Sequence, residues 1–365
     1  MAGKVLIAGA SGVVGLAAAK HFASFPDWEV VGLARRPPGG LEGVELHAVD
    51  LTDAAQSRAV LSGCGDITHV VYAALFEKPG LLPGWFERDQ METNQLMLRN
   101  LLDPLLGAAS GLEHVSLLQG TKAYGGHVEP MAVPGRERNP RHQHENFYWL
   151  QEDDLRRRQE GSAWGFTILR PQVIFGESLG SNMNPIPALG TYAATQRLAG
   201  LPLSYPGEAP SIGEAVDADL LARALHWAAV TPACRNETFN ITNGDVFTMR
   251  NVWPVLADAF GMEVGDDQPM SLASEMPGRQ AAWAEVVERF GLRAPVELDA
   301  FVGQSFIYAD LILGHGAEQP HPPALLSTIK ARRAGFTDCM DTEDMFRKWV
   351  GRFQAAGLFP PRDWG

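Results

Sequence analysis

Apolar runs of strand length recur through the first half of the chain: KVLIAG, EVVGLA, VELHAV, THVVYAA, EHVSLLQ and FTILR. Stretches with helical spacing of apolar positions separate them, among them Val13 to Phe25 and Asp89 to Leu106. Strands buried on both faces lose the in–out alternation of a half-exposed sheet. Near-continuous apolar strands alternating with helices therefore predict an α/β fold, a parallel sheet covered on both sides. A later run, TFNIT from Thr238 to Thr242, predicts a further strand. After Pro171 the pattern loosens. SNMNPIPALGTYAATQRLAG and the stretch from Arg250 to Gly261 read as helices, and GHGAEQPHPP as a Pro/Gly-rich loop. DTEDMFRKWVGRFQAAG predicts an amphipathic C-terminal helix, acidic in its first turn, with Gly357 past its end. There is no internal repeat and no low-complexity tail. The expected organisation is a sheet-bearing domain over residues 1–180, completed by about 210–245, and a smaller, partly helical cap from 181–209 and 246–365.

The 365 residues, 45% hydrophobic and 20% charged, suffice for one large domain or two modest ones. A formal net charge of −13 argues against nucleic acid or an anionic membrane surface as partner, so any phosphate ligand must be held by local basic groups. No apolar stretch has the length of a membrane span. MAGKVLIAGASG runs directly into glycines and is expected as a buried strand, not a signal peptide. Cys64, Cys234 and Cys339 are scattered, with neither metal spacing nor a disulfide framework; this fits a reducing cytosol and a protein without a metal.

IAGASGVVG places Gly9, Gly12 and Gly15 in a G-x-x-G-x-x-G array between the first strand and the first helix. Glycines there let the backbone turn tightly and approach a pyrophosphate, whose charge meets the helix N-terminus. In the first strand–turn–helix of an alternating chain, this pattern predicts a doubly wound, Rossmann-type dinucleotide site. The next strand ends in GLARRPP. Arg35 and Arg36 stand where an NAD site carries a carboxylate for the ribose hydroxyls. Guanidinium groups bind a 2′-phosphate with charge-assisted bonds, so NADP(H) is the expected cofactor. Asp50, after the third strand, fits either an adenine contact or a helix N-cap.

HENFYWLQEDD, His144 to Asp154, opens like the catalytic helix of a nicotinamide reductase, yet the residue four after Tyr148 is Glu152, not lysine. None of the six tyrosines has a lysine at that spacing. Of the six lysines, only Lys122, in LLQGTKAYGG, lies just past a strand at the carboxyl edge of the sheet, where open α/β sheets bind ligands. Lys122 is thus expected to approach Tyr148 from a neighbouring loop, its ammonium favouring negative charge near the phenol.

Five segments, GASGVVG, LLQGTKAY, ENFYWLQEDDL, RPQVIFGESLGSNMNPIPALGTYAA and ETFNITNGDVFTMRNVWPVLADAFG, resemble the progesterone 5β-reductase/iridoid synthase-like group of atypical extended short-chain dehydrogenases/reductases. That group moves its lysine into a G-x-K-x-Y segment and keeps N-F-Y ahead of E-D. The resemblance runs to TIKARRAGFTDCMDTEDMF near the end of the chain. It implies a Rossmann domain with a substrate-binding cap, Lys122 and Tyr148 as catalytic pair, the glycines with Arg35 and Arg36 as NADP site, and NADPH-dependent reduction of C=C bonds conjugated to a carbonyl. The expected cofactor contacts are Gly9, Ser11, Gly12, Val13, Val14, Gly15, Arg35, Arg36, Asp50, Leu51, Ala73, Gln119, Gly120, Pro171, Val173 and Ile174. The chain departs from the plant members at Ala123, where they usually carry His; at Gln119, where they carry Thr; and at His127 and Val128, in place of a Pro-Phe pair. Loss of that aromatic wall reshapes the pocket and leaves steroid or iridoid preference open. His127, Val128, Asn182 and Met183 are candidate substrate contacts. His127 reads first as a surface-loop histidine, Asn182 and Met183 equally as capping and packing residues at a helix start, and Asn146 as a pocket residue or an N-cap. The partner is a small carbonyl or enone substrate, and a homodimer is left open. Alternatives to enone reduction are 1,2-reduction of a carbonyl, including keto tautomers of polyhydroxylated arenes, and a non-catalytic NADP-binding redox sensor.

Overall fold

The computed structural model describes residues 3–209 and 211–364. The chain forms two compact units. The first comprises residues up to Gln172, Ala218–Thr242 and Leu326–Asp338; the second comprises Val173–Asp217, Asn243–Leu325 and Cys339 onward.

In the first unit the strands are β1 (Lys4–Ala8), β2 (Glu29–Ala34), β3 (Val44–Ala48), β4 (His69–Tyr72), β5 (His114–Leu118) and β6 (Gly165–Pro171). In the second unit β7 (Val173–Phe175) and β8 (Ala215–Asp217) form a small parallel pair, and β9 (Glu237–Ile241) returns to the first unit. The main sheet has the order β3-β2-β1-β4-β5-β6-β9, every neighbour parallel. The doubly wound α/β expectation holds. Its cause is visible in burial: β4 and β6 are buried at every residue, whereas the edge strand β3 has no buried residue at all.

The helices of this sheet are α1 (Val13–Ala23), α2 (Ala54–Leu61), α3 (Arg88–Ala108) and α4 (Phe147–Gln159); α5 (Pro185–Leu198) belongs to the second unit, and α6 (Ala218–Val230) packs on α1. On one face Leu98, Leu101, Leu102 and Leu105 of α3 bury against Leu6, Val31, Val70 and Val115 of the strands. Pro104 lies inside α3 without ending it.

Two capping expectations are corrected. α2 is capped by Asp53, whose carboxylate accepts from the amides of Ala55 and Gln56; Asp50 sits one turn too early. α5 is capped by Asn184, which accepts from Ile186, so neither Asn182 nor Met183 caps it. In both places the chain spends extra residues in the loop before bending into the helix, a length that apolar periodicity does not encode. The remaining expected helices form at Met249–Ala259, capped by Thr248, and Thr342–Ala355, capped by Asp341, with Gly357 at φ +68° beyond it. Among the described residues no helix is long and apolar enough to cross a membrane.

Candidate active site

The glycine turn follows β1. Gly9 has φ +85°, and a Cβ there would stand 2.7 Å from the Ala73 carbonyl oxygen. A Cβ on Gly15 would stand 2.1 Å from the Gly9 carbonyl oxygen. Both positions therefore require glycine. The amides of Gly9 and Ala10 are tied to the Leu33 carbonyl at 2.9 and 3.0 Å, which locks the turn to β2. α1 begins at Val13 with Gly12 as N-cap and no side chain bonded to its first turn. Ser11, Gly12 and Val13 are half-buried, while Val14 and Gly15 are buried. An uncapped N-terminus behind a glycine turn is a donor set for an anion.

The ends of β1 to β4 frame that turn. Arg35 and Arg36 follow β2 and are exposed. Asp50 accepts from the Thr52 amide at 2.9 Å and hydroxyl at 2.8 Å. Burial works to raise its carboxyl, but those two bonds and the charge of Arg35 together hold it below the usual carboxylate range. Leu51 points into the core, and its carbonyl accepts from Asn100 at 2.7 Å. Ala73 directly follows β4 and donates to Ala8 at 3.0 Å. Arg35 and Arg36, not a carboxylate, directly follow β2, and the glycine turn with the start of α1 fits a dinucleotide.

Past β5 the chain passes Gln119 and Gly120 into a 3₁₀ turn, Thr121–Tyr124, that carries Lys122. Asn146 caps the neighbouring helix α4 and uses both ends of its side-chain amide here. Its carbonyl oxygen accepts from the Tyr148 amide at 3.0 Å, and its amide contacts the Lys122 carbonyl at 3.3 Å and His144 Nε2 at 3.0 Å. One side chain thus joins the turn of Lys122 to the first turn of the helix bearing Tyr148; the capping reading of Asn146 is the observed one. The Tyr148 hydroxyl lies 3.2 Å, and the Pro171 carbonyl oxygen 3.6 Å, from where a Cβ on Gly120 would stand. Gly120 leaves room for the phenol beside the end of β6. Val173 and Ile174, two and three residues past Pro171, begin β7 in the second unit, and Asn182 and Met183 lie in the same unit ahead of α5.

Glu152, at the spacing where a lysine is absent, has a structural task. Its carboxylate accepts from Gln119 Nε2 at 2.8 Å and Arg156 Nε at 2.9 Å, and lies 3.7 Å from Arg170 and 3.6 Å from Arg141. Gln119 also accepts from Arg170 Nε at 2.8 Å, so its side chain is committed to this network.

Lys122 is buried. Its Nζ stands 3.5 Å from the centroid of the Trp85 ring and 4.0 Å from Glu77 Oε1. Burial lowers Lys122 to about 8 against the opposing pull of Glu77, and burial raises the Glu77 carboxyl against the pull of Lys122. His127 is not a surface-loop histidine. It is half-buried, with ring centroids 5.6 Å from Phe86 and 5.0 Å from His144, and burial, reinforced by the charge of Lys122, lowers it to about 4. Val128 beside it is half-exposed. Glu77 and Trp85 were not among the sequence candidates. Their one signal was position: they lie in the segment leaving β4 at the carboxyl edge, ALFEKPGLLPGW.

Residues 5–242 match the model of the NAD dependent epimerase/dehydratase family. An (S)-8-oxocitronellyl enol synthase of Camptotheca acuminata is 33% identical over 97% of this chain and 93% of its own length. A 3-oxo-Delta(4,5)-steroid 5-beta-reductase of Arabidopsis thaliana is 33% identical over 97% of this chain and 92% of its own. Among solved structures, a UDP-glucose 4-epimerase of Thermotoga maritima with UDP-glucose matches 96% of this chain and 99% of its own with a TM-score of 0.67 at 16% identity. That of Thermus thermophilus with NAD matches 97% and 99% with a TM-score of 0.66 at 19% identity; these likenesses speak to the fold. The chain belongs to the NAD dependent epimerase/dehydratase family and, within it, to the progesterone 5β-reductase/iridoid synthase-like group of extended short-chain dehydrogenases/reductases. It is an oxidoreductase of that type.

Proposed function

We propose that this enzyme is an NADPH-dependent reductase of carbon–carbon double bonds conjugated to a carbonyl. The observation that carries the proposal is the buried ammonium of Lys122 on the turn after β5, with its peptide carbonyl bound through Asn146 to the first turn of the Tyr148 helix. The names of the two plant relatives, an enol synthase and a steroid 5-beta-reductase, support the same chemistry.

NADPH, when bound, supplies a hydride to the β carbon of the enone. The Gly9–Gly15 turn and the uncapped start of α1 hold its pyrophosphate, and Arg35 and Arg36 its 2′-phosphate. As the substrate is reduced, negative charge gathers on its carbonyl oxygen as an enolate. Tyr148 donates a hydrogen bond to that oxygen, a contribution of ~3–4 kcal/mol, or ~10²–10³ in rate. Lys122 favours the charge electrostatically from a position largely shielded from water. The α carbon takes its proton from water, so no general acid is assigned to it. His127 and Val128, beside Lys122 in the chain, and Asn182 and Met183 ahead of α5 are proposed substrate contacts.

Incubation with NADPH and 2-cyclohexenone, with products resolved by mass and NMR, tests this. A saturated ketone is expected. An allylic alcohol would mean 1,2-reduction of the carbonyl, and tight NADPH binding without turnover across an enone and carbonyl panel would mean a sensor. Tyr148→Phe is expected to lower kcat by ~10²–10³ while leaving the Kd for NADPH unchanged. Near-full turnover of that variant would remove Tyr148 as the oxyanion donor.

A further inference from the structure

We propose that Glu77 is the counter-ion and positioning residue of Lys122, a carboxylate fixed in place by α3 so that its free oxygen holds the lysine's ammonium against Trp85. The proposal rests on the reading of Lys122 as the cation of the active site.

The segment bearing Glu77 leaves β4, and the turn bearing Lys122 leaves β5, its neighbour in the sheet. Two buried amides staple that segment to α3. Asn94 accepts from the Phe76 amide and donates to the Phe76 carbonyl, both at 2.9 Å. Gln90 accepts from the Lys78 amide at 2.8 Å and donates to Glu77 Oε2 at 2.6 Å. Glu77 is therefore bracketed on both sides in the chain and bound at one oxygen. Its side chain is 2% exposed. The other oxygen, Oε1, is buried without a hydrogen bond of normal length and faces Lys122 Nζ at 4.0 Å; the indole N–H of Trp85 adds only a weaker pull on the carboxylate.

A buried carboxylate with one oxygen left unbonded is costly, and a position needing only shape and one hydrogen bond is filled at lower cost by Gln. What a Gln lacks is the charge. Across the ammonium from that charge stands the face of Trp85, 3.5 Å from Nζ to the ring centroid. A cation between a carboxylate and an indole face is held electrostatically on two sides, although hydrogen bonds do not reach it from either. The titratable groups that face Lys122 are Glu77 and His127, and His127 is lowered to about 4, so it is uncharged at neutral pH. Tyr148 on α4 is the remaining titratable group of the site. Among the described residues Glu77 is thus the one negative charge opposing the desolvation that lowers Lys122.

The test is a titration of Lys122 itself. With six lysines in the chain, enzyme labelled with ¹³C at the lysine ε carbon gives few signals, and Lys122→Met assigns the one in question. In Glu77→Gln the Lys122 midpoint is expected to fall by at least one pH unit, and in Glu77→Asp by less. The alkaline limb of kcat for enone reduction is expected to move down with it, with KM for NADPH unchanged. If Glu77→Gln does not fold, Glu77→Asp carries the same comparison. An unmoved midpoint in a folded variant overturns the proposal whatever the turnover. A midpoint that moves in an enzyme whose turnover ignores it, or that turns over no enone, leaves the pairing standing and removes Lys122 from the reaction.

Discussion

Arg35 is the residue on which the proposed preference for NADPH rests. It is exposed at the end of β2, its charge helps hold the Asp50 carboxyl low, and no acid stands at that strand end to repel a phosphate. A charge-assisted hydrogen bond contributes about 1.5–3 kcal/mol, roughly 10- to 100-fold in affinity. Arg35→Ala is therefore expected to raise the Kd for NADPH about 10-fold or more, read by quenching of intrinsic fluorescence, and to leave the Kd for NADH nearly unchanged. Equal losses for the two would undo the phosphate argument. The contrast with Asp50 is instructive at the same scale. Both residues were legible as carboxyl-edge candidates, but only coordinates separate a cap from its neighbour: Asp50 closes on Thr52, and Asp53 caps α2.

Helix α4 is the element whose sequence raised the sharpest question and whose packing answers it. Tyr148, Lys122 and the glycine turn could be proposed as site residues from sequence because each lies directly beside an apolar strand or in a dense local motif. The task of Glu152 was not readable, because its partners come from β6, from the end of β5 and from the loop at Arg141, elements far apart in the chain. The same holds for Glu77, whose partner Lys122 is 45 positions away. Restoring the familiar spacing with Glu152→Lys is expected to harm the protein, not improve it. The new ammonium would sit among Arg141, Arg156 and Arg170, and Gln119 would lose its acceptor. Removing one partner of a buried ionic network costs about 3–5 kcal/mol. The measured outcome should be a large drop in Tm or loss of soluble protein, with Glu152→Gln milder. A variant of unchanged Tm would mean that the network contributes little.

At the scale of the whole chain, the first half was the legible one because parallel strands announce themselves as apolar runs. The second unit is mostly helices and loops whose partners are distant, such as Asp217 with Trp349 and Asn243 with Thr342, and no short pattern encodes those pairings. One consequence of the sheet reaches beyond the active site. At the amino ends of β4 and β5 the unit buries His69 and His114, 6.4 Å apart between ring centroids, and His69 packs on Trp28 at 4.8 Å. His114 Nε2 has no hydrogen-bond partner, and burial, with His69 and Arg235 adding to it, lowers the imidazole to about 3. Its folded pKa is thus below the unfolded value of about 6.5. The unfolded chain then binds the proton first, so the stability it contributes is intact above about pH 6.5 and is lost as pH falls toward 3. At about 1.36 kcal/mol per pH unit, the loss from this one residue at pH 5 is ~2 kcal/mol. Urea unfolding at pH 7.5 and pH 5 should show wild type losing at least that much, and His114→Phe, with nothing to protonate, losing ~2 kcal/mol less. Equal losses in the two proteins would place the acid sensitivity elsewhere.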